Sequence, residues 1–421
     1  MTSWKESFLA YLQPRFFIVL FLGFSSGLPL GMLLDPFNFW LSEEGIAKSS
    51  IGLLSLITLA YTIKFFWSPF IDRLQIPVLS KSIGQRKSWL LITQLVVSIG
   101  LIGMAITDPK DSLSILVVFA LLVAFFSATQ DICIDALRIE LVEEKELGGA
   151  TAMYQAGYRI AFLVSQVATF FIASQFDWSS AYYFSAFLML LILITCFLTV
   201  PEPEREEGMY ISFAKNPDVW IFSSYIKPIT DIFNRFGDKL ILIILLIITY
   251  KFSDLLLGPM AMPFYNEIGF TKEQVAIITN AFGIVVTMLG AFLGGLLIYK
   301  YSIMRTMLIG AFLMAITNLF FAGLDYVGPN LTFLTLTISV DNLSQGLAGT
   351  ALIAYLSSLT NRTFTATQYA LLFFLAVLPG KLIGATSGFL AEYLGFFNFF
   401  VFASLMGIPA IYLCLKLQKN S

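Results

Sequence analysis

The stretch Ser127–Glu140, SATQDICIDALRIE, decides the fold of this 421-residue chain. It closes an apolar run with two aspartates and an arginine. Asp131 and Asp135 stand four residues apart and Arg138 seven from the first, so on a helix advancing about 100° per residue all three share one face. That face cannot point at lipid, because a charge at the centre of a bilayer costs on the order of 2.5–3.5 kcal/mol on insertion scales. The run therefore belongs inside a bundle that the rest of the chain has to supply.

The composition supplies it. The chain is 58% hydrophobic and 12% charged, with a mean hydropathy of +0.83, outside the range of soluble globular domains and in that of multi-span membrane proteins. A net charge of −2 gives no electrostatic footprint for nucleic acid. There is no histidine, so an imidazole metal site is excluded and any proton coupling must use carboxylates. Cys133, Cys196 and Cys414 have no CxxC or zinc spacing and read as small buried residues. No Gly-rich phosphate loop or nucleophile elbow occurs, so neither an enzyme nor a cofactor is expected, and transport would run on an ion or substrate gradient. The N-terminal segment has no small-residue cleavage site and reads as leading into a retained first helix.

Runs of roughly 18–25 apolar residues predict twelve spans. They are Phe16–Leu34, Ile51–Phe70, Trp89–Ile106, Leu113–Ile134, Ala150–Ala173, Ala181–Val200, Leu240–Met262, Val275–Tyr299, Met304–Leu324, Leu331–Leu356, Tyr369–Leu390 and Phe396–Leu417. The one long connection, residues 201–239, divides residues 1–200 from 240–421, six spans each. Inside it Asn216-Pro217 reads as a helix start, and Val219, Phe222, Ile226, Ile229 and Phe233 recur at helical spacing, predicting an interfacial amphipathic helix kinked at Pro228. Of the 25 basic residues only Lys48, Lys110 and Lys272 fall in loops on one side, which makes the other side, with both termini, cytoplasmic.

The two parts repeat. Ser26-Gly27-Leu28-Pro29-Leu30-Gly31 through Pro36-Phe37 aligns with Ser253-Asp254-Leu255-Leu256-Leu257-Gly258 through Pro263-Phe264, and Gly45 then meets Gly269 after a three-residue slip. Spans 1 and 7 have the same direction, which is the parallel two-half plan of the major facilitator architecture. The fold class expected is an all-α integral membrane protein with twelve transmembrane helices in two six-helix halves, acting as a monomer in the lipid bilayer.

Six charges fall near mid-span: Lys64, Arg159, Lys251, Asp254, Asp341 and Lys381. The basic surplus predicts a central cavity for an anion; pairing Lys251 with Asp254 locally and others across helices would still leave two positive charges over. Gln155, Arg159 and Gln166 on the fifth span, with Tyr158 beside them, and Thr337, Asp341 and Gln345 on the tenth, flanked by Asn342, form polar stripes suited to a cavity or to interhelical hydrogen bonds. Lys64, Gln155, Tyr158, Arg159, Lys251, Asn342, Gln345 and Lys381 are the expected substrate contacts, with Asp254 and Asp341 as proton carriers. Asp72, Arg73, Asp131, Asp135 and Arg138 are assigned to an inner gate near the cytoplasmic face. Gly380, Gly384 and Gly388 suit close helix packing.

Asp72-Arg73 followed by Gly84-Gln85-Arg86-Lys87 is a stretched form of the facilitator loop signature. With Gln130–Ala136 and Arg138, Asp341-Asn342, Ala354–Asn361 and Phe364–Leu371, and with Asp35-Pro36 and Trp67-Ser68-Pro69, the chain resembles the AmpG-type muropeptide permeases of the major facilitator superfamily. The resemblance implies an inner-membrane importer of anhydromuropeptides, disaccharide-peptide fragments of the cell wall carrying several carboxylates, driven by protons and serving cell-wall recycling. The alternatives are a facilitator for acetyl-CoA or another bulky anion, a sensor that does not transport, and a membrane-embedded enzyme acting on lipid-linked sugars.

Overall fold

A computed structural model describes residues 11–46, 54–203, 217–384 and 386–419, and these are helical almost throughout. Asn216, the expected helix cap, lies outside them. Among the described residues ten helices are long and apolar enough to cross a membrane. The expected twelve differ at two places. The second run is broken into a turn at Ser55–Thr58, α3 (Leu59–Ile63), a turn at Lys64–Phe66 and α4 (Ser68–Arg73). The tenth run is one 28-residue helix, Leu331–Ser358, whose Thr, Ser, Asp, Asn and Gln residues keep it out of the apolar set.

The first part of the chain contains α1 (Pro14–Leu33) and α2 (Asp35–Glu43), then α3 and α4, α5 (Gln85–Ile106), α6 (Pro109–Glu140), α7 (Leu147–Leu163), α8 (Thr169–Gln175) and α9 (Trp178–Thr199). The connection forms α10 (Pro217–Ile221), a π turn at Phe222–Ile226 and α11 (Lys227–Phe236). Pro228 falls in the first turn of α11, where its missing N–H leaves nothing unsatisfied. The later part contains α12 (Leu240–Thr249), α13 (Phe252–Leu257), α14 (Ala261–Ile268), α15 (Gly283–Lys300), α16 (Ile303–Val327), α17 (Leu331–Ser358), α18 (Thr365–Gly384), α19 (Ser387–Leu405) and α20 (Ile408–Lys419).

The residues aligned as repeats end their helices in the same way. Gly45 and Gly269 both have positive φ, 76° and 99°. Beyond each, Ile46 N–H donates to Leu41 O at 3.0 Å, and Phe270 N–H to Tyr265 O at 3.0 Å. Only glycine takes that left-handed position without steric cost, which fixes its place in both segments.

Close packing is also arranged by small residues. α7 lies along α1 because Gly23 and Gly27 let the carbonyls of Tyr154 and Tyr158 approach, and Gly157 admits that of Leu20. α15 meets α17 through Gly290 against Leu343 O and Gly346 against Thr287 O. One apolar cluster fills the first part, another lies around Phe264, Phe321, Phe399 and Phe400, and a third runs across both parts from Phe16 and Val19 to Ala348 and Tyr369. α7 crosses to α15 and α17, while α18 packs on α4 and α6. The polar site lies between these crossings.

Candidate functional site

Burial of Ser127 through Ile139 confirms that the charged face of α6 points inward. Asp135 accepts from Lys64 Nζ at 2.9 Å, and its other oxygen lies 3.6 Å from Arg138 Nη2. Asp131 accepts from Ser26 Oγ at 2.6 Å, which itself lies 3.0 Å from Tyr154 OH. Asp131 has no cation within salt-bridge reach among the described residues. Arg138 is fully buried, its guanidinium between the Tyr154 and Tyr369 rings at 5.5 and 5.1 Å. A desolvated cation held this way is stabilised by both ring faces.

These groups wall a cavity of about 270 Å³, with Tyr61, Gln155, Tyr158, Arg159, Ile353 and Phe373 among its other lining residues. Asp131 and Asp135 were grouped by sequence with Asp72 and Arg73; the structure places them in this central wall beside Lys64 and Arg159. The reason is that the broken second run brings Lys64 down to α6, which helical periodicity in either segment does not show. Their presence also shrinks the basic surplus inferred from the six mid-span charges. What sets Arg159 and Lys381 apart is that neither has a carboxylate within 4 Å among the described residues. Both are exposed.

A second, wider chamber of about 650 Å³ is walled by α13, the turn at Gly258–Met260, α17, α18 and the start of α19, with Asp254, Gln345 and Lys381 as its charged and amide groups. Lys251 pairs with Asp254 at 3.1 Å. Asp341 accepts from Gln345 Nε2 at 2.7 Å and has no cation within 4 Å among the described residues. Lys381 Nζ donates to Thr62 Oγ1 at 3.2 Å, linking the wall of this chamber to the residue next to Tyr61 in the central cavity. Gln155 Nε2 donates to Thr350 Oγ1 at 2.6 Å, and Asn342 accepts from Thr287 Oγ1 at 2.7 Å while donating to Ile338 O. Asn342 is thus occupied between α15 and α17 and lines neither cavity.

Toward the face carrying Arg73, Arg86 and Arg362, the two parts are joined by polar contacts. Asp72 accepts from Arg86 Nη2 at 2.7 Å, and from the N–H and hydroxyl of Thr367 at 2.8 and 2.6 Å. Thr367 lies in the first turn of α18, where free N–H groups and the helix dipole favour an anion. Arg86 also binds Glu140 at 2.8 Å. Arg138 Nη1 donates to Thr151 and across to Ser357 Oγ, both at 3.0 Å, and Arg362 donates to Val142 O at 3.0 Å. Arg73 lies over the Phe364 ring and donates to Ser223 O at 3.2 Å.

The connecting helices strap this face. Trp220 packs against Phe70, the ring centroids 5.0 Å apart and the planes tilted by 45°, and Tyr225 OH donates to Phe66 O at 2.8 Å, on the first part of the chain. Asp231 accepts from Gln368 Nε2 at 2.8 Å and Asn361 Nδ2 at 3.2 Å, and Arg235 donates to Leu359 O at 2.8 Å, on the later part. Sequence reasoning did not single out Ser26, Tyr154, Ser357, Thr367 or Tyr369 as site residues. The last three fall inside the Ala354–Asn361 and Phe364–Leu371 runs that carry the family resemblance, which was the available signal.

Residues 15–250 match the model of the Major Facilitator Superfamily. A curated relative from Rickettsia conorii, whose name carries the AmpG transporter label, is 32% identical over 409 residues, 96% of this chain and 97% of its own. The anhydromuropeptide permease of Escherichia coli K12 is 31% identical over 411 residues, 97% of this chain and 80% of its own. Among solved structures, the proton:xylose symporter XylE superposes with a TM-score of 0.66 at 15% identity, covering 97% of this chain and 95% of that one. The human organic anion transporter MFSD10 superposes with a TM-score of 0.66 at 14% identity, covering 95% and 99%. The inward-facing charges of α6, the central cavity between the two parts and the latch from Asp72 to α18 therefore belong to a multi-pass membrane transporter, and the chain is a member of the Major Facilitator Superfamily.

Proposed function

We propose that this protein imports anhydromuropeptides across the bacterial inner membrane, coupled to protons, by alternating access of two six-helix halves. The similarity to the Escherichia coli permease along nearly the whole chain supports the substrate class. The observation that carries the reading is the pair of exposed cations, Arg159 and Lys381, on opposite halves and with no carboxylate within 4 Å among the described residues. A substrate with several carboxylates satisfies both at once, and in doing so draws the halves together.

The basic-residue asymmetry makes the latched face cytoplasmic. The structure then corresponds to the state closed to the cytoplasm, with Asp72, Arg73 and Arg138 among the groups that hold it shut. Asp341 and Asp254 are the proton carriers in this reading, with Asp341 favoured because Asp254 already has Lys251. Asp131, which has no cation within 4 Å among the described residues, joins them in the first half. A charge left uncompensated in the interior is costly, and binding a proton removes that cost in one state of the cycle.

The test is equilibrium binding of labelled anhydromuropeptide to the purified protein and to the Arg159→Gln, Lys381→Gln double variant. Removing two charge-assisted contacts, each worth about 1.5–3 kcal/mol, should weaken binding by a hundredfold or more while the fold is kept. Unchanged affinity would reject the assignment of these cations.

A further inference from the structure

We infer that the chamber between α13 and α18 is a second substrate subsite, one that seats the uncharged pyranose rings while the central cavity takes an anionic group. The inference rests on the proposed muropeptide substrate and assigns one part of it to one place.

A central cavity of about 270 Å³ falls just below the roughly 300–1,000 Å³ range for pockets that enclose a drug-sized ligand. It cannot hold a disaccharide and a peptide together. The chamber beside it, about 650 Å³, has room for the remainder. Lys381 stands in its wall and donates to Thr62, next in sequence to Tyr61 of the central cavity, and in this assignment the ligand extends past Lys381 from one space toward the other.

The walls of this chamber suit a sugar. Gly258 on one side and Gly388 on the other present bare backbone: a Cβ at Gly258 would meet nothing within 4 Å, and one at Gly388 only Met260 Cε at 3.7 Å. Gly380, by contrast, is filled by the Leu255 side chain. The expectation that Gly380, Gly384 and Gly388 form one packing stripe thus holds for the first, while Gly388 borders open space. A pyranose has two flat faces of C–H bonds and a rim of hydroxyls. Surfaces stripped of side chains allow the flat faces to lie close. The rim then meets Ser387, Gln345, which uses its Nε2 on Asp341, and Asp254, which uses its Oδ2 on Lys251. Amide and carboxylate groups of this kind accept or donate to two adjacent hydroxyls.

The experiment uses the full-length protein in proteoliposomes and three probes: labelled anhydromuropeptide, the N-acetylglucosaminyl-anhydromuramic disaccharide without peptide, and the free peptide. Gly258→Leu and Gly388→Leu should each raise KM for the muropeptide at least tenfold, and the disaccharide should lose its ability to compete while the peptide keeps whatever competition it has. Because the native cysteines are buried, a Gly388→Cys variant adds a single accessible thiol. The disaccharide should protect it from a membrane-impermeant maleimide, a readout that holds even where a leucine variant fails to fold. Normal KM in folded leucine variants, or labelling of Gly388→Cys unchanged by the disaccharide, would overturn the subsite while leaving muropeptide transport standing. Absence of muropeptide uptake by the unaltered protein would overturn both.

Discussion

Thr367 donates both its backbone N–H and its hydroxyl to Oδ2 of Asp72, across 295 positions of sequence. The other oxygen of the same carboxylate takes Arg86, so one buried side chain ties the end of α4, the start of α5 and the first turn of α18. Arg86 belongs to the same part of the chain as Asp72, so the bonds to Thr367 are the ones that must break for the two parts to separate.

Asp72→Asn keeps the shape but removes the charge that Arg86 and the α18 N-terminus both favour. Removing one member of a buried ion pair costs about 3–5 kcal/mol when the partner is stranded, and here Glu140 remains to hold Arg86. The expected shift toward the cytoplasm-open state is therefore tenfold or more rather than thousandfold. Reactivity of a thiol placed at Ser357→Cys toward a reagent added from the cytoplasmic side measures it; equal reactivity with and without Asp72→Asn would show that the contact is not a latch.

Lys64 and Asp135 should be strongly coupled. Lys64→Met leaves Asp135 with Arg138 at 3.6 Å alone, and Asp135→Asn leaves Lys64 buried without its partner. Each change should lower the thermal stability of the detergent-solubilised protein, and the double variant should recover a good part of the loss. Simple addition of the two losses would mean that the pair contributes nothing as a pair.

Asp231→Ala removes the strap's carboxylate from Asn361 and Gln368, while Arg235 keeps its bonds to Leu359 O and Gln368 Oε1. The site is only partly buried, so the stability cost should stay within about 1–2 kcal/mol. The turnover rate of uptake should change more than KM, because the strap touches the latched face and neither cavity. A changed KM at constant rate would contradict that placement.

Gly346→Ala puts a methyl group against the carbonyl of Thr287, where α15 and α17 meet. Backbone cannot move aside as a side chain does, and overpacking of this kind costs about 1–3 kcal/mol or more. Yield of folded protein should fall sharply. The same substitution at Gly328, where nothing lies within 4 Å but φ is +80°, should cost only the local backbone strain.

Much of the fold was legible because glycine and charge leave sharp marks in an apolar sequence. The alignment of Gly45 with Gly269 anticipated two helix ends with the same hydrogen bond, and the spacing of Asp131, Asp135 and Arg138 anticipated a face turned inward. Depth was not legible. Periodicity says which way a side chain points but not which neighbour stands at its level, so Asp131 and Asp135 were grouped with Asp72 instead of Lys64. Nor does hydropathy reveal that the second run breaks into short helices, since its residues are apolar whether or not the helix is continuous. Nor does spacing reveal the role of Glu202 at the start of the long connection. Its carboxylate in fact accepts from the N–H groups of Arg86 and Lys87 at 2.9 Å each, capping α5 from a distance of more than a hundred residues.

The measurement that tests the central claim most directly is uptake of labelled anhydromuropeptide by proteoliposomes holding this protein, with and without an imposed inward proton gradient. Uphill accumulation that collapses on addition of an uncoupler, and that is lost in the Arg159→Gln, Lys381→Gln variant, is the predicted result. No uptake by folded protein, or accumulation indifferent to the gradient, would contradict it.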